Sequence, residues 1–289
     1  MNSDVFSRMQ NNASGFSKGQ KKLASYIKES FEKAAFMTAK QLGKTVGISE
    51  STVVRFATEL GYDGYPEMQK AMRDMVLSSL TSVQRIEMEN NRNDGKDFLQ
   101  FVLQSDGENL RKTAEMIDRN DFDSAVQAIR SAGNIYILGA RSAAPLAEFL
   151  GYYLKFLFPN VHMITTSGTA EVFERLISVS SADAVIAISF PRYCTATVKG
   201  ACFCRSRGAC VIGITDSKLS LLGQNCDYAI AARSSMVSLV DSLVAPLSVI
   251  NALILALANS ADEKLSESFA ALERVWEEYN VYEKWEDNR

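Results

Sequence analysis

The chain has 289 residues, 47% of them hydrophobic and 22% charged, with only 5 prolines, which is the make-up of an ordinary soluble globular protein large enough for two domains. Five cysteines (194, 202, 204, 210 and 226) without a CxxC pair, and a single histidine (His162), argue against both a disulfide framework and a zinc site and fit a reducing cytoplasm. The net charge of −3 taken over the whole chain speaks against a nucleic-acid binder, but residues 1–76 hold 11 Lys/Arg against 8 Asp/Glu, a net of +3 that leaves −6 for the remainder. A basic front on an acidic body is the asymmetry expected when one part meets an anionic partner.

The first residues, MNSDVFSRMQNN, are polar throughout and carry no secretory signal pattern. SKGQ (17–20) and TAKQ (38–41) both match the Ser/Thr-x-x-Glu/Gln capping box and mark two helix starts. The first helix is predicted over KKLASYIKESF, with Leu23, Ile27 and Phe31 at helical spacing. The second, AKQLGKTV, stops at Gly47; the third runs from Ser49 as N-cap to Gly61. YPEMQKAMRDMVLSSL is a further helix with Pro66 in its first turn.

Between the second and third helices, Gly43 allows close approach, Gly47 makes the bend and Val53 fills the space between. Leu42, Val46, Ile48, Phe56 and Leu60 complete an apolar face. That leaves Ser49, Glu50, Ser51, Thr52, Arg55, Thr58 and Glu59 outward on the third helix. Small hydroxyls at a helix start permit close approach to a surface, the free backbone donors there favour phosphate, and Arg55 one turn on can reach a phosphate or a guanine edge. A helix-turn-helix presents its recognition helix to the major groove in this way, the alternative on spacing alone being a helical hairpin that simply packs into a core. The expected DNA contacts are Ser49, Ser51, Thr52 and Arg55, with Thr38 at the start of the preceding helix.

Residues 78–107 are polar with scattered apolar positions, a connector that is helical in parts. From about residue 108 the pattern changes. NIYILG (134–139), VHMIT (161–165), AVIAIS (184–189), CVIGIT (210–215) and DYAIA (227–231) are short apolar runs, most of them separated by helical stretches. That pattern predicts five parallel strands with helices on both faces, hence an α/β chain with an all-α front. LVAPLSVINALILALA (243–258) is interrupted by Pro246, Ser248 and Asn251 and is short for a membrane span, so a buried helix is expected. The tail is an acidic helix with Leu265, Phe269, Leu272 and Trp276 on one stripe.

Two strand-to-helix loops carry candidate chemistry. ILGARSAAPLAEFL places Gly139, Ala140, Arg141 and Ser142 between a strand and a helix; it lacks the second and third glycines of a dinucleotide fingerprint. Taken on its residues, Ser142 is equally an anion contact or an N-cap. In AISFPRYCTATVKG, Ser189 ends the strand and Thr195 or Thr197 starts a helix. Arg141 and Arg192 can add charge or equally be solvated surface residues. Ser167, Glu171 and the Ser-rich stretch 234–242 are secondary candidates that helix capping explains as well. His162, inside an apolar strand, is expected to be structural.

ISESTVVRFATELGYDGYPEMQKAM closely resembles the N-terminal domain of the RpiR/MurR family of bacterial transcriptional regulators. Its signature is matched by Ile48, Ser49, Ser51, Thr52, Val53, Arg55, Phe56, Leu60, Gly61, Tyr62, Gly64 and Tyr65. The resemblance implies a DNA-binding domain (1–77), a connector (78–107) and a SIS, or sugar isomerase-type, domain over 108–289 with its core at about 125–265 and a flavodoxin-like sheet. It further implies operator DNA and a phosphorylated sugar or amino-sugar effector as partners, self-association as a dimer or tetramer, no membrane and no cofactor. Ser142, Ser189 and the position of Cys194 are the effector contacts it implies, and the residues themselves add Gly139 for the turn, Arg141 for charge and Thr195 as a neighbouring hydroxyl. Within ISFPRYC, Pro191 stands where SIS domains usually carry a second Ser, and Cys194 where Ser or Thr is usual. A thiol is a weak donor, so the departure bears on phosphate affinity. The alternatives are a phosphosugar isomerase, for which His162 and Glu171 are poor material, and a regulator whose second domain only oligomerises.

Overall fold

The computed structural model describes residues 5–79, 97–234, 236–237, 240–259 and 263–283. They divide into two compact units: one is drawn from the chain up to Ser105 with Leu219–Leu221 and 235–242, the other from Asp106–Lys218, Leu222–Ser234 and the residues from Leu243 on.

The first unit is helical, with α1 (Val5–Asn11), α2 (Lys18–Glu29), α3 (Phe31–Ala35), α4 (Ala39–Val46), α5 (Glu50–Glu59) and α6 (Tyr65–Ser79). Both expected capping boxes are present, Ser17 with Gln20 and Thr38 with Gln41. In each, a side-chain oxygen and a backbone N–H satisfy one another reciprocally at the first turn, where the helix cannot. Two local expectations change. The helix begun at Lys18 ends at Glu29, because Ser30 leaves helical geometry at φ −134°, and Phe31 starts α3 rather than finishing α2. Helix α1 had no counterpart in the pattern; it buries Val5 and Met9 and is tied down by Arg8, whose guanidinium donates to the carbonyls of Leu60 and Gly61. Leu23, Ile27, Leu42, Val53, Phe56, Met68 and Met72 form a fully buried core.

In the second unit, the latter part of α7 (Phe98–Met116) and α8 (Arg119–Ser131) precede the sheet. Then β1 (Ile135–Leu138), α9 (Ala144–Leu157), β2 (Val161–Ile164), α10 (Thr169–Leu176), β3 (Ala184–Ile188), α11 (Thr195–Ser206), β4 (Cys210–Thr215) and β5 (Tyr228–Ala231) alternate as expected. After a hairpin of the first unit, β6 (Met236–Val237) with β7 (Val240–Asp241), which the sequence reading did not foresee, the second unit resumes with α12 (Val244–Ala258) and α13 (Glu263–Glu278). The sheet order is β2-β1-β3-β4-β5, parallel throughout, with Leu138 of β1 in register with Ile164 of β2 and Ala187 of β3. This is the flavodoxin-like order, in which the winding direction reverses between β1 and β3.

Both faces are covered, which is why the strands read as unbroken apolar runs. Ile135, Ile137, Ile186, Ile188, Ile212 and Ile214 pack with residues of α8, α9 and α12. The alternating Tyr136, Leu138, Val185, Ala187 and Val211 pack with residues of α10 and α11. The apolar stretch 243–258 is α12, with Val249, Ile250 and Leu253 in the core. Among the described residues, no helix is long and apolar enough to cross a membrane.

At the amino edge of the sheet, Asp183 is 4% exposed and accepts from Asn134 Nδ2 (2.7 Å) and from the Ser180 N–H (2.8 Å) and hydroxyl (3.0 Å). Burial works against its charge, but these donors outweigh it and hold the carboxyl below its ordinary pKa. A depressed folded-state pKa contributes stability that is present above the unfolded value of about 3.9 and is lost as pH falls through the folded value. Asp183→Asn is therefore expected to lower stability at neutral pH and to flatten the acid limb, followed as urea midpoints between pH 7 and pH 3. An acid limb superimposable on the wild type would contradict this.

Candidate functional site

Two surfaces present the residues singled out above. In the first unit, α4 and α5 meet across Gly47, which holds φ +74°, a left-handed conformation that costs glycine little and other residues more. Gly43 faces that turn so closely that a Cβ would lie 2.9 Å from the Ile48 carbonyl oxygen. Val53, Phe56 and Ala57 face inward with no exposure. On the outer side the Ser49, Ser51 and Thr52 hydroxyls form one network: Ser49 Oγ lies 2.9 Å from Ser51 Oγ and 2.8 Å from Thr52 Oγ1, and it accepts from the Thr52 N–H. Arg55 is exposed, its Nε 3.7 Å from Glu59 Oε1 on the next turn. A solvated pair of this kind contributes between zero and about 1 kcal/mol, so Arg55 is readily exchanged to another anion. Thr38 is also exposed, although its hydroxyl is engaged in the capping box of α4.

The sequence reading missed one exposed residue of α5 and one at the start of α2. Val54 is 40% exposed on α5, three positions from Ser51 and beside Arg55. Lys18 opens α2 next to Gly19, whose Cβ position is within 3.7 Å of the Thr52 side chain. Neither is marked by local pattern: Val54 reads as one more apolar helix position, and Lys18 is near α5 only in space.

The second surface is the carboxyl edge of the sheet. The loops after β1 and β3 leave adjacent strands at the point where the winding reverses, the position at which open α/β sheets take ligands. Gly139 and Ala140 are buried and Arg141 and Ser142 exposed, with Arg141 at φ +57°. Gly139 admits no side chain, since a Cβ would meet Ala147 Cβ at 2.8 Å and the Ala143 carbonyl at 3.0 Å. Ser142 lies within the short turn Arg141–Ala143, and the N-cap position of α9 falls to Ala143, so Ser142 is not that helix's cap. In the second loop Ser189 is 3% exposed, and its Oγ accepts from the Cys194 N–H at 3.2 Å. Cys194 is the N-cap residue of α11, half-buried, and Thr195 begins the helix exposed; Thr197 is buried.

Capping bears on this edge without being unique to it, since α3 and α12 also lack a side-chain cap. α2, α4, α5 and α8 all have a side-chain cap, the last from Asp118, which Lys218 also engages at 2.6 Å. Among the described residues, no side chain caps α9, α10 or α11, the helices that follow β1, β2 and β3. Uncapped N-termini leave backbone donors and the positive end of each helix dipole facing the loops, an arrangement suited to an anion.

The remaining candidates fall elsewhere. His162 is on edge strand β2, exposed and stacked on the Tyr136 ring at 4.8 Å. Glu171, in the first turn of α10, is held below its ordinary pKa by a hydrogen bond from Thr166 and by Arg175, whose guanidinium lies 2.8 Å away. Ser167 is exposed, and part of 234–242 lies outside the described residues. Three groups beside the second loop escaped the sequence reading. Tyr193 donates its hydroxyl to Asp216 at 2.7 Å, and Arg233 follows β5. The signal available was a polar residue directly after β4 and another two positions beyond the end of β5.

Comparison with known proteins adds the following. Residues 3–79 match the model of the helix-turn-helix domain, rpiR family, and residues 128–256 that of the SIS domain. The HTH-type transcriptional regulator HexR of Pseudomonas aeruginosa is 24% identical over 216 residues, covering 73% of this chain and 73% of its own. The HTH-type regulator YfhH of Escherichia coli is 30% identical over 155 residues, 51% of this chain and 53% of its own. The sugar isomerase domain of an RpiR transcription factor from Sphaerobacter thermophilus superposes with a TM-score of 0.59 at 26% identity, over 62% of this chain and 99% of that one. Vibrio vulnificus NanR, solved in complex with ManNAc-6P, gives a TM-score of 0.59 at 21% identity over 97% of this chain and all of that one, a likeness of fold.

Proposed function

The chain belongs to the RpiR family, a transcriptional regulator that joins an rpiR-type helix-turn-helix to a SIS domain, and from that premise we propose that a phosphorylated sugar bound at the carboxyl edge of the sheet resets its affinity for operator DNA. The observation that carries this is the pair of uncapped helices, α9 and α11, behind loops at the β1/β3 reversal. Ser142 and Ser189 stand in those loops as anchors, with Gly139, Arg141, Cys194 and Thr195 around them. The phosphate is met by backbone donors and hydroxyls and needs no metal or cofactor. NanR, whose fold this chain shares, was solved with a phosphosugar, which supports the effector class.

Binding without turnover is the better reading of the second domain. Aldose–ketose interconversion needs a base with a tuned pKa. Glu171 is held in its charged form by Thr166 and Arg175, and His162 stacks on an edge strand. Glu171 is thus not poised to take a proton, and the carboxyl that burial does push up at this edge, Asp216, has its Oδ1 occupied by the Tyr193 and Thr215 hydroxyls. We place the protein in the cytoplasm, acting as a homodimer or tetramer, because one helix-turn-helix covers half a site. The tail helix offers less for that assembly than its stripe suggests: Phe269 and Trp276 meet Phe156 of the same chain, with ring centroids at 5.8 and 6.5 Å. Phe98, Leu99 and Leu103 on α7 and Tyr152 on α9 are exposed apolar residues that a second copy would cover.

The DNA reading rests on α5. With operators selected by the purified protein from random duplexes, Arg55→Ala is expected to weaken binding by about 1–3 kcal/mol at fixed salt. Its fold should be untouched, because Arg55 makes one solvated ion pair. Equal affinity of variant and wild type would remove Arg55 from the interface.

A further inference from the structure

Beyond the loops after β1 and β3, the same edge carries polar groups that neither sheet packing nor helix capping explains. Asp216 follows β4, and its Oδ1 accepts from both the Tyr193 hydroxyl (2.7 Å) and the Thr215 hydroxyl (3.1 Å). Burial pushes the Asp216 carboxyl up, and the Tyr193 hydrogen bond and the positive charge of Arg233 offset that in part. Arg233, which follows β5, donates its backbone N–H to Thr113 Oγ1 at 2.9 Å. Its side-chain Nε is buried with no hydrogen-bond partner.

Such an unmet buried donor forfeits its hydration without compensation, and native structures carry few of them, so each calls for an explanation. Arg233 acts on Asp216 electrostatically, yet among the described residues no ion pair joins the two. The pair therefore presents a donor in want of an acceptor beside a carboxylate whose two hydroxyl donors crowd one oxygen. A hydroxyl answers both demands at once, accepting from the guanidinium and donating to the carboxylate.

We propose that Asp216 and Arg233 form a hydroxyl-reading subsite of the phosphosugar site, bridging a sugar hydroxyl while the phosphate rests at the N-termini of α9 and α11. The inference rests on the effector reading given above and assigns it a specificity element. The positions suit it: the Ser189 N–H donates to the Ile214 carbonyl of β4, and the Ala232 N–H to the Thr215 carbonyl, so the ends of β3, β4 and β5 lie side by side. Neighbouring strands are about 4.8 Å apart, so the step from the phosphate loops to Asp216 and Arg233 matches the reach of a hexose ring. Tyr193, held by Asp216, fixes the second phosphate loop to the same subsite.

The test is calorimetric titration of the full-length wild type, Asp216→Asn and Arg233→Met with inorganic phosphate, glucose 6-phosphate, fructose 6-phosphate and N-acetylmannosamine 6-phosphate. Asn at 216 can still accept from Tyr193 and Thr215 while replacing the charged oxygen. Met at 233 keeps an apolar stem without donors. If either variant fails to fold, the other carries the test. The expected result is that inorganic phosphate binds each folded protein alike, while the sugar phosphate preferred by the wild type loses tenfold or more in affinity in the variants. Wild-type affinity for every sugar phosphate in the folded variants would overturn the subsite and leave the effector reading standing. An equal loss of inorganic phosphate would also overturn it, because the two residues would then act through the loop alone. A wild type that binds none of the four probes would overturn the effector reading and the subsite with it.

Discussion

Phe56→Ala is expected to cost the helix-turn-helix unit about 3–5 kcal/mol, the usual price of emptying a buried aromatic position. Phe56 has no exposure, and its ring sits 5.0 Å from that of Phe16, centroid to centroid. It lies in one apolar cluster with Leu23, Leu42, Val53 and Met68, drawn from four helices. The surrounding elements are fixed by capping boxes and by the Gly43 contact, so the site can collapse little around the void. Small domains have net stabilities of about 5–15 kcal/mol, and for a unit of this size each kcal/mol shifts the midpoint by about 4–8 °C. The first unit should therefore melt more than 10 °C below its wild-type midpoint, followed by circular dichroism, with DNA binding lost at lower temperature still. A midpoint within about 2 °C of the wild type would show that Phe56 does not hold the core together.

Ser189→Ala is expected to abolish the effector response. The Ser189 hydroxyl is enclosed at the end of β3 and accepts from the backbone of Cys194, the residue that opens α11. One atom thus shapes the loop and, in the proposed complex, donates its proton to the phosphate. Because Cys194 supplies only a thiol, Ser189 is the hydroxyl on which this loop chiefly depends. Losing the charge-assisted bond to phosphate removes about 1.5–3 kcal/mol, and leaving the Cys194 N–H unpaired adds to it. Sugar phosphate affinity should fall more than tenfold in calorimetric titration, with the thermal midpoint of the first unit unchanged. Undiminished affinity would move the phosphate away from the β3 loop.

How much of this was legible in the sequence depended on the range of the interaction. The capping boxes at Ser17 and Thr38 are closed within three residues, so the pattern contains the whole interaction. The central strands were readable because a parallel sheet covered on both faces needs apolar side chains at every position, as Ile135–Leu138 and Ala184–Ile188 show. Helix α1 was not readable: Val5 and Met9 are too sparse a stripe, and the helix is held by Arg8 reaching carbonyls 52 and 53 positions away. The break at Ser30 was missed because Leu23, Ile27 and Phe31 continue a helical period through it.

In the candidate site the same division holds. Gly139, Ser142 and Ser189 announce themselves as small and hydroxyl residues directly after strands. That Ser142 is no helix cap depends on the turn at Arg141, which leaves no trace in composition. Tyr193, Asp216 and Arg233 come together only once the order β3-β4-β5 is known, because their separation along the chain encodes nothing about adjacency. Val54 was hidden for the opposite reason: its apolar type assigns it to the core, and only the helix phase places it outside.

A sugar phosphate held at the carboxyl edge is expected to change the affinity of α5 for DNA. Coupling between two sites is typically worth about 1–3 kcal/mol, which is roughly 5- to 150-fold in affinity. The direct measurement is fluorescence anisotropy of a labelled duplex, selected by the protein itself, titrated with wild type and Ser189→Ala in the presence and absence of each hexose phosphate. At least one sugar phosphate should shift the wild-type midpoint fivefold or more in either direction, with inorganic phosphate giving less and Ser189→Ala giving no shift. Identical midpoints with and without every sugar phosphate, or a full shift retained in Ser189→Ala, would contradict it.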